Sequence, residues 1–532
     1  MKPLWIDFEG IDGSGKTTVS TRVAEALRAR GVAVVHAREG GRFASPIAGK
    51  VRDLARSREC LRLAPEAELL LNLAREAQLT AEVIRPALAQ GAWVITDRTA
   101  YSHLGLARSV RGLAGPEAEA AARMALQGLV PDRVFLIDVD PDVARWRRRI
   151  RKVRERRLDE GGRKGLAGDS LALRTREAFL GQAAAEGWPV LDNTWRSLDE
   201  TVAAVLACLD GHPAPAPAVA PFEADPDGLV DGFLEFAASV KDRGLGAMLT
   251  AGLDHPRADA VRRAAPADVA AYAVTGMDVP AAWALREDLL EESPHQVARS
   301  LAGLRGSLRA WDLRRRLEPA APEAVLQSLA GEGGGEAHAL RRRQREDHED
   351  DVLRSLRLVP DEGSWEFRRS APRSAALAES VTGLDAPEAW EIRGELGEQE
   401  PLAVLRSLRG LDRPEAWDLR GRLAGVAPKT VLASIEGMGG AEADALRDRL
   451  APAAPEETAA SLTGLDTPEA WRRREELSDA APAGVIKSLK RIESGRAEAL
   501  AARLVAAHPR RLRVAREAVQ FKLRAAWTGI SI

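Results

Sequence analysis

The stretch Phe8-Glu9-Gly10-Ile11-Asp12-Gly13-Ser14-Gly15-Lys16-Thr17-Thr18 decides the fold of the first part of this chain. An apolar run (Leu4, Trp5, Ile6, Phe8) leads into it, and a helical pattern over residues 17–30 follows. From Gly10 to Thr17 the spacing is Gly-x4-Gly-Lys-Thr in full. Glycines there let consecutive backbone N–H groups face one anion, which bulky side chains would obstruct. Lys16 is placed to reach β- and γ-phosphates, the Thr17 hydroxyl to ligand Mg2+, and the helix starting here aims its positive end at the same charge. The expected nucleotide-binding set is Gly10, Asp12, Gly13, Ser14, Gly15, Lys16, Thr17 and Thr18, with ATP and Mg2+ as the bound species.

Up to about residue 210, short apolar runs alternate with helical stretches. Strands are expected at residues 4–9, 32–37, 93–96, 134–139 and 190–191, with a long helix over 65–90. Such alternation predicts a parallel sheet covered by helices on both faces. Asp97 and Arg98 directly follow the third strand, so they emerge at its C-terminal end, where open α/β sheets bind ligands. A carboxylate there can hold Mg2+ or its water, and an Arg can grip a phosphate with two parallel hydrogen bonds. A strand-end ion pair is the structural alternative. A basic run, Arg145 to Arg157, comes later and contains Arg149, Arg154 and Arg157. It reads either as a source of arginines for a transferring phosphoryl group or as a solvated helix or nucleic-acid contact.

Several of these stretches, in this order, resemble the thymidylate kinase family over most of residues 1–210. They are the loop itself, Arg38-Glu39-Gly40-Gly41, the segment from Ala64 through Gln78 to Arg98, Pro131-Asp132, and Asp138-Val139-Asp140-Pro141. The resemblance implies an α/β P-loop NTPase fold with a three-layer parallel sheet. It implies a mobile lid at the basic run, Arg98 as clamp of an acceptor monophosphate, and Asp12 near the acceptor's sugar. On this reading Lys16, Asp97, Arg98, Arg149, Arg154 and Arg157 are the catalytic set, and Thr17 and Asp97 hold the metal. The acceptor is expected to meet Asp12, Arg38, Asn72, Arg75, Arg98 and Ser102. The chain departs from the family where a Phe and an Arg serve the thymine base: Asn72 and Glu76 stand there, with Arg75 one residue, about 100° of helix, away. It departs again at Thr99, at Gly105-Leu106 and around Asp159-Glu160.

The Pro/Ala-alternating stretch over residues 211–221 favours extended polyproline II and reads as a linker ending near 229. Beyond it, Pro401, Pro428, Pro455 and Pro482 recur every 27 residues. Trp390, Trp417 and Trp471 keep the same interval, and an Arg stands three residues after each Trp slot. A unit that begins at Pro401 predicts a short helix, a break at Gly410, and a second helix started by a capping box from Asp412 to Glu415. Its apolar stripe is Ala416, Leu419 and Leu423. Two short helices cannot bury such a face alone, so residues 230–515 are expected to stack as a HEAT-like all-α solenoid of nine or ten repeats, with 516–532 as a cap or tail. The Trp column is expected to fill space between repeats, and the Arg column to make ion pairs between them.

Charge bears on partners. Residues 1–210 carry 33 Lys+Arg and 28 Asp+Glu, which leaves 44 and 51 of the chain's 77 and 79 for the remainder. An acidic solenoid is a poor tracker of nucleic acid, so a protein partner is expected there. Two cysteines, Cys60 and Cys208, make no disulfide framework, and no apolar stretch approaches the ~20 residues of a membrane span. A cytoplasmic, ATP- and Mg-dependent nucleoside monophosphate kinase converting dTMP and ATP into dTDP and ADP, fused to a protein-binding helical region, is the resulting expectation. A nucleotide-gated scaffold is the alternative.

Overall fold

A computed structural model of the chain describes residues 2–56, 63–113, 115–156, 168–216 and 228–508. The chain divides into two compact units, one of Met1–Arg148 with Gly161–Ala220, the other of Arg149–Glu160 with Pro221–Ile532. The middle of the linker and the expected terminal cap lie outside the described residues.

In the first unit, β1 (Trp5–Glu9), β2 (Val34–His36), β3 (Trp93–Asp97), β4 (Arg133–Asp138) and β5 (Val190–Asp192) form one sheet in the order β2-β3-β1-β4-β5. Every pairing is parallel. Alternation along β1 splits its side chains between two cores. Ile6 and Phe8 pack with Val19, Val23 and Leu27 of helix α1 (Lys16–Ala29) and with Phe135, Ile137 and Leu191. Trp5 faces the opposite way, with Val94 of β3, Ala48 of α2 (Pro46–Arg56), Leu69 and Leu73 of α3 (Pro65–Leu79) and Leu104 of α4 (Ala100–Arg111). Helix, sheet and helix thus make three layers, because a strand buried on both faces needs a cover on each. Phe8 of β1 is in register with Asp97 of β3, so the loop after Glu9 leaves the sheet beside Asp97.

The second unit is helical. Ten pairs of a short and a longer helix follow one another among the described residues, from Arg243–Leu249 with Pro256–Arg263 to Pro482–Ser488 with Gly495–Ala507. Each short helix packs on the short helix of the next pair, giving a continuous stack. Ala416, Leu419 and Leu423 are buried as the pattern predicts. The capping box is not formed. Arg413 occupies the cap of Pro414–Leu423 without a side-chain bond, and Asp412 instead accepts the indole N–H of Trp417 at 2.7 Å. Asp278, Asp385 and Asp466 serve Trp283, Trp390 and Trp471 in the same way.

The Arg column differs from its expected role. Arg420, fully buried, donates Nε–H to Ser434 Oγ at 3.0 Å and Nη2–H to the carbonyls of Leu408 at 2.7 Å and Ser434 at 3.4 Å. Leu408 and Ser434 close two successive short helices, whose last carbonyls have no partner within their own helix. Arg286, Arg393 and Arg474 repeat the pattern. Each of these guanidiniums also lies within 5 Å of its Trp ring centre. Ion pairing enters at Arg314, with Glu332, and at Arg447, with Asp444. The column is mainly a set of staples on helix ends. Among the described residues, no helix is long and apolar enough to cross a membrane.

Candidate active site

The loop between β1 and α1 is built on positive φ angles: 146° at Gly10, 94° at Gly13 and 89° at Gly15. A Cβ at Gly13 would sit 2.4 Å from the Ala144 carbonyl oxygen, and one at Gly10 would sit 2.4 Å from that of Ile137. Both backbone angle and space therefore require glycine. Asn193, just after β5, supports the turn from beneath by donating Nδ2–H to Ser14 O at 2.7 Å. Lys16 is buried, with Nζ 3.3 Å from Ile11 O and 3.8 Å from Asp12 Oδ1. Ser14 is buried below the loop, whereas Thr18 faces solvent.

Asp97 lies beside that lysine. The Thr17 hydroxyl donates to Asp97 Oδ2 at 2.5 Å, and Arg38 Nη1 donates to the same oxygen at 3.1 Å. Burial works to raise the Asp97 carboxyl, but Lys16, Arg38 and the Thr17 hydroxyl outweigh it and hold it below the usual carboxylate range. Asp97 Oδ1 and Arg38 Nε, both buried, have no partner among the described residues. An ionised carboxylate with an open oxygen next to a threonine hydroxyl is a donor set that fits a hard divalent cation such as Mg2+.

Arg98 adopts φ 80°, a left-handed angle that an arginine rarely takes. That turn swings its guanidinium back over the loop, where Nη2 donates to Asp12 Oδ1 at 2.6 Å and Nη1 to Ser102 Oγ at 2.8 Å. Glu9 underlies them, fully buried. It accepts the Thr99 and Ser102 N–H groups at 3.2 and 3.1 Å together with the Ser102 hydroxyl, and its Oε2 is 3.9 Å from Arg98. Burial raises the Glu9 carboxyl, with Arg98 opposing. The sequence reading missed Glu9, because an acid inside an apolar strand looks like part of the strand.

One cleft of about 220 Å³ opens at this sheet edge, lined by Asp12, Arg38, Asn72, Arg75, Asp97 and Arg98 among others. The expected acceptor residues therefore converge, with Ser102 contributing through Arg98. Arg52, Phe43, Glu68, Glu76 and His103 also line the cleft. No motif announces them. Arg52 stands in a helix whose exposed face also carries ordinary charges, and its position on the cleft follows only from packing α2 against α3. Glu76 and His103 form a cluster with Arg75, whose Nη2 lies 2.5 Å from Glu76 Oε1 and 2.6 Å from His103 Nε2. Burial pushes His103 down to about 4, and Glu76 stays below the ordinary range because Arg75 and His103 outweigh its burial.

The arginines of the basic run meet different partners. In the first unit, Arg148 of helix α5 (Pro141–Arg154) donates Nη1–H to Asp12 O at 2.7 Å, and Arg147 reaches Thr194 O at 3.3 Å. Arg149 and Arg154 belong to the second unit. There the Arg149 guanidinium lies 5.4 Å from the Tyr272 ring centre, and Arg154 Nε lies 3.7 Å from Asp268. Successive residues of a helix point about 100° apart, and here Arg148 and Arg149 meet different neighbours. Arg157 lies outside the described residues.

A family model described as thymidylate kinase matches residues 8–164. A thymidylate kinase of Bifidobacterium longum (strain NCC 2705) is 38% identical over 215 residues, which cover 40% of this chain and 97% of that protein. One from Deinococcus radiodurans is 36% identical over 213 residues, 39% of this chain and 98% of the relative. The crystal structure of thymidylate kinase from Ehrlichia chaffeensis is 23% identical, covers 40% of this chain and 99% of its own, and superposes with a TM-score of 0.30. With nearly the whole length of these relatives matched by this chain, it belongs to the thymidylate kinase family, whose members are nucleoside monophosphate kinases.

Proposed function

We propose that the first unit transfers the γ-phosphoryl group of ATP to the phosphate of a nucleoside monophosphate, yielding a nucleoside diphosphate and ADP. The observation that carries this reading is the single cleft shared by Asp97, Arg38, Arg98 and Asp12, beside the loop that holds Lys16 and Thr17. The loop amides and Lys16 take the donor's phosphates, and Arg38, Arg52 and Arg98 hold the acceptor's, so two anions meet with their charge screened. Thr17 and Asp97 would hold Mg2+, which supplies neutralisation of the donor's phosphate charge when bound. Arg148, already at the loop, is the arginine best placed to follow charge onto the transferred group.

Deoxythymidine monophosphate is the acceptor that the relatives' names imply, giving dTDP. Incubation of the full chain with ATP, Mg2+ and a panel of monophosphates tests the reading; absence of any diphosphate product refutes it. For the helical stack we propose a protein-binding surface, as repeats of this kind expose long faces, and for the whole chain a cytoplasmic site of action. A nucleotide-gated scaffold is the alternative reading. It requires partner affinity to differ between nucleotide-free and ATP-bound protein.

A further inference from the structure

Two tryptophans of the helical stack have different surroundings from the rest. Of the six between residues 228 and 508, Trp283, Trp311, Trp365 and Trp471 are buried, while Trp390 and Trp417 are half-buried. Each of these two meets the staple arginine of its own helix, Arg393 at 4.6 Å and Arg420 at 4.4 Å from the ring centre. At Trp283 and Trp471 a second guanidinium, from the next helix pair, also lies over the ring: Arg309 at 4.8 Å and Arg496 at 4.3 Å. Arg309 stands two residues before Trp311, and Arg496 two before Glu498, which continues the 27-residue series from Trp471. In that register the helix pairs after Trp390 and Trp417 carry Glu415 and Glu442. Both glutamates are exposed, and neither forms an ion pair among the described residues.

The chain therefore fills the second place over two of its rings with its own cation, and at two others puts a carboxylate in the same register. The indole N–H groups of Trp390 and Trp417 are tied to Asp385 and Asp412 at 2.7 Å, which fixes the rings. Asp385 is also paired with Arg413, at 3.2 Å. Gly440 matches Arg413 in the next pair, and Asp412 forms no ion pair among the described residues. Residues 375–454 hold 14 Asp+Glu and 9 Lys+Arg, and three of the nine are the buried Arg393, Arg420 and Arg447. A tryptophan beside carboxylates attracts a guanidinium or an ammonium, because the ring quadrupole and the anions act in the same sense. A phosphate backbone is repelled there.

We propose that Trp390 and Trp417 form a docking surface for a basic segment of a partner protein, with an arginine or lysine side chain taking the second place over each ring. This rests on the reading of the helical stack as a protein-binding surface and adds the partner's chemistry. Trp417, with Asp412 unpaired and Glu442 in register, is the stronger of the two positions.

The test titrates the full chain, by tryptophan fluorescence and calorimetry, with short Gly/Ser peptides that carry spaced Arg, spaced Lys, spaced Glu or no charge. The Arg and Lys peptides should bind about tenfold more tightly than the other two. Trp417→Leu should weaken them about threefold to thirtyfold. Glu442→Arg should weaken them at least as much, since it supplies from the chain the second cation found over Trp471. Glu398→Arg, the same charge change at an exposed residue outside that register, should cost clearly less. Glu442 also lies in the first turn of its helix, where negative charge suits the dipole, so the thermal midpoint of each unliganded variant is measured alongside. If Trp417→Leu does not fold, the comparison of Glu442→Arg with Glu398→Arg decides. Equal losses in those two variants overturn the proposal, as does a folded Trp417→Leu protein that binds unchanged. Preferred binding of the Glu or uncharged peptides keeps a protein-binding surface and overturns the basic partner, and binding of none overturns both.

Discussion

Lys16 and Arg98 separate the two halves of the proposed reaction. Lys16 faces the donor side of the loop, so Lys16→Ala should lower kcat by about 10²–10³-fold, the usual effect of losing one preorganised charge from a phosphoryl-transfer site. Arg98 faces the cleft, held there by Asp12 and Ser102. Arg98→Ala should raise the acceptor KM about 10–100-fold, with the KM for ATP changed far less, as steady-state kinetics with each substrate varied will show. His36 supplies a pH response. Its Nδ1 accepts the Arg38 N–H at 3.0 Å, so the ring proton resides on Nε2, facing Ser20 Oγ at 3.0 Å. Burial lowers His36 from 6.5 to about 4. Between those values the unfolded chain binds a proton that the folded ring refuses, so stability rises with pH across that window and is lost as pH falls from 6.5 toward 4. Denaturant titrations at pH 7 and 4.5 should differ by on the order of 2 kcal/mol from this group, and His36→Gln should reduce the difference.

Helix ends add to the apolar packing that holds the second unit together. Each staple arginine gives up water on burial, and burial pulls Arg420 and Arg393 down to about 10. Carbonyls at two helix ends compensate by accepting its N–H groups. Arg420→Met would remove the charged donor from the Leu408 and Ser434 carbonyls, leaving them only the Leu411 and Gly410 N–H groups, and a loss of about 1.5–3 kcal/mol is expected in chemical denaturation. Ser434→Ala removes a single hydroxyl acceptor and should cost about 1 kcal/mol. Were the column a set of surface ion pairs, neither change would exceed about 1 kcal/mol, and high salt would mimic both. The 27-residue interval was legible because Pro and Trp mark it. The use of Arg was not, since a guanidinium satisfies carboxylates, phosphates and carbonyls equally well on paper.

Taken as a whole chain, the protein has separate cores in its two units. A ligand that binds only the folded first unit stabilises by mass action, by about 2.7 kcal/mol at a hundred times its Kd. ATP with Mg2+ should therefore raise the midpoint of a thermal transition, and at equal ATP the shift should be smaller in Lys16→Ala. An unchanged midpoint at saturating ATP would argue that the loop holds no triphosphate.

From residues alone came the glycine loop, the five strands within a residue or two, Asp97 and Arg98 at a strand end, and the repeating helix pairs. Those features are contiguous in the chain, and local sterics and periodicity write them into its order. Contacts between distant segments decided the remainder. Glu9 beneath Arg98, Arg52 on the cleft, Glu76 locked by Arg75 and His103, and Arg148 rather than Arg149 at the loop all depend on helices packing across the sheet edge. A side chain's partner there is set by three-dimensional packing, which one-dimensional spacing does not encode.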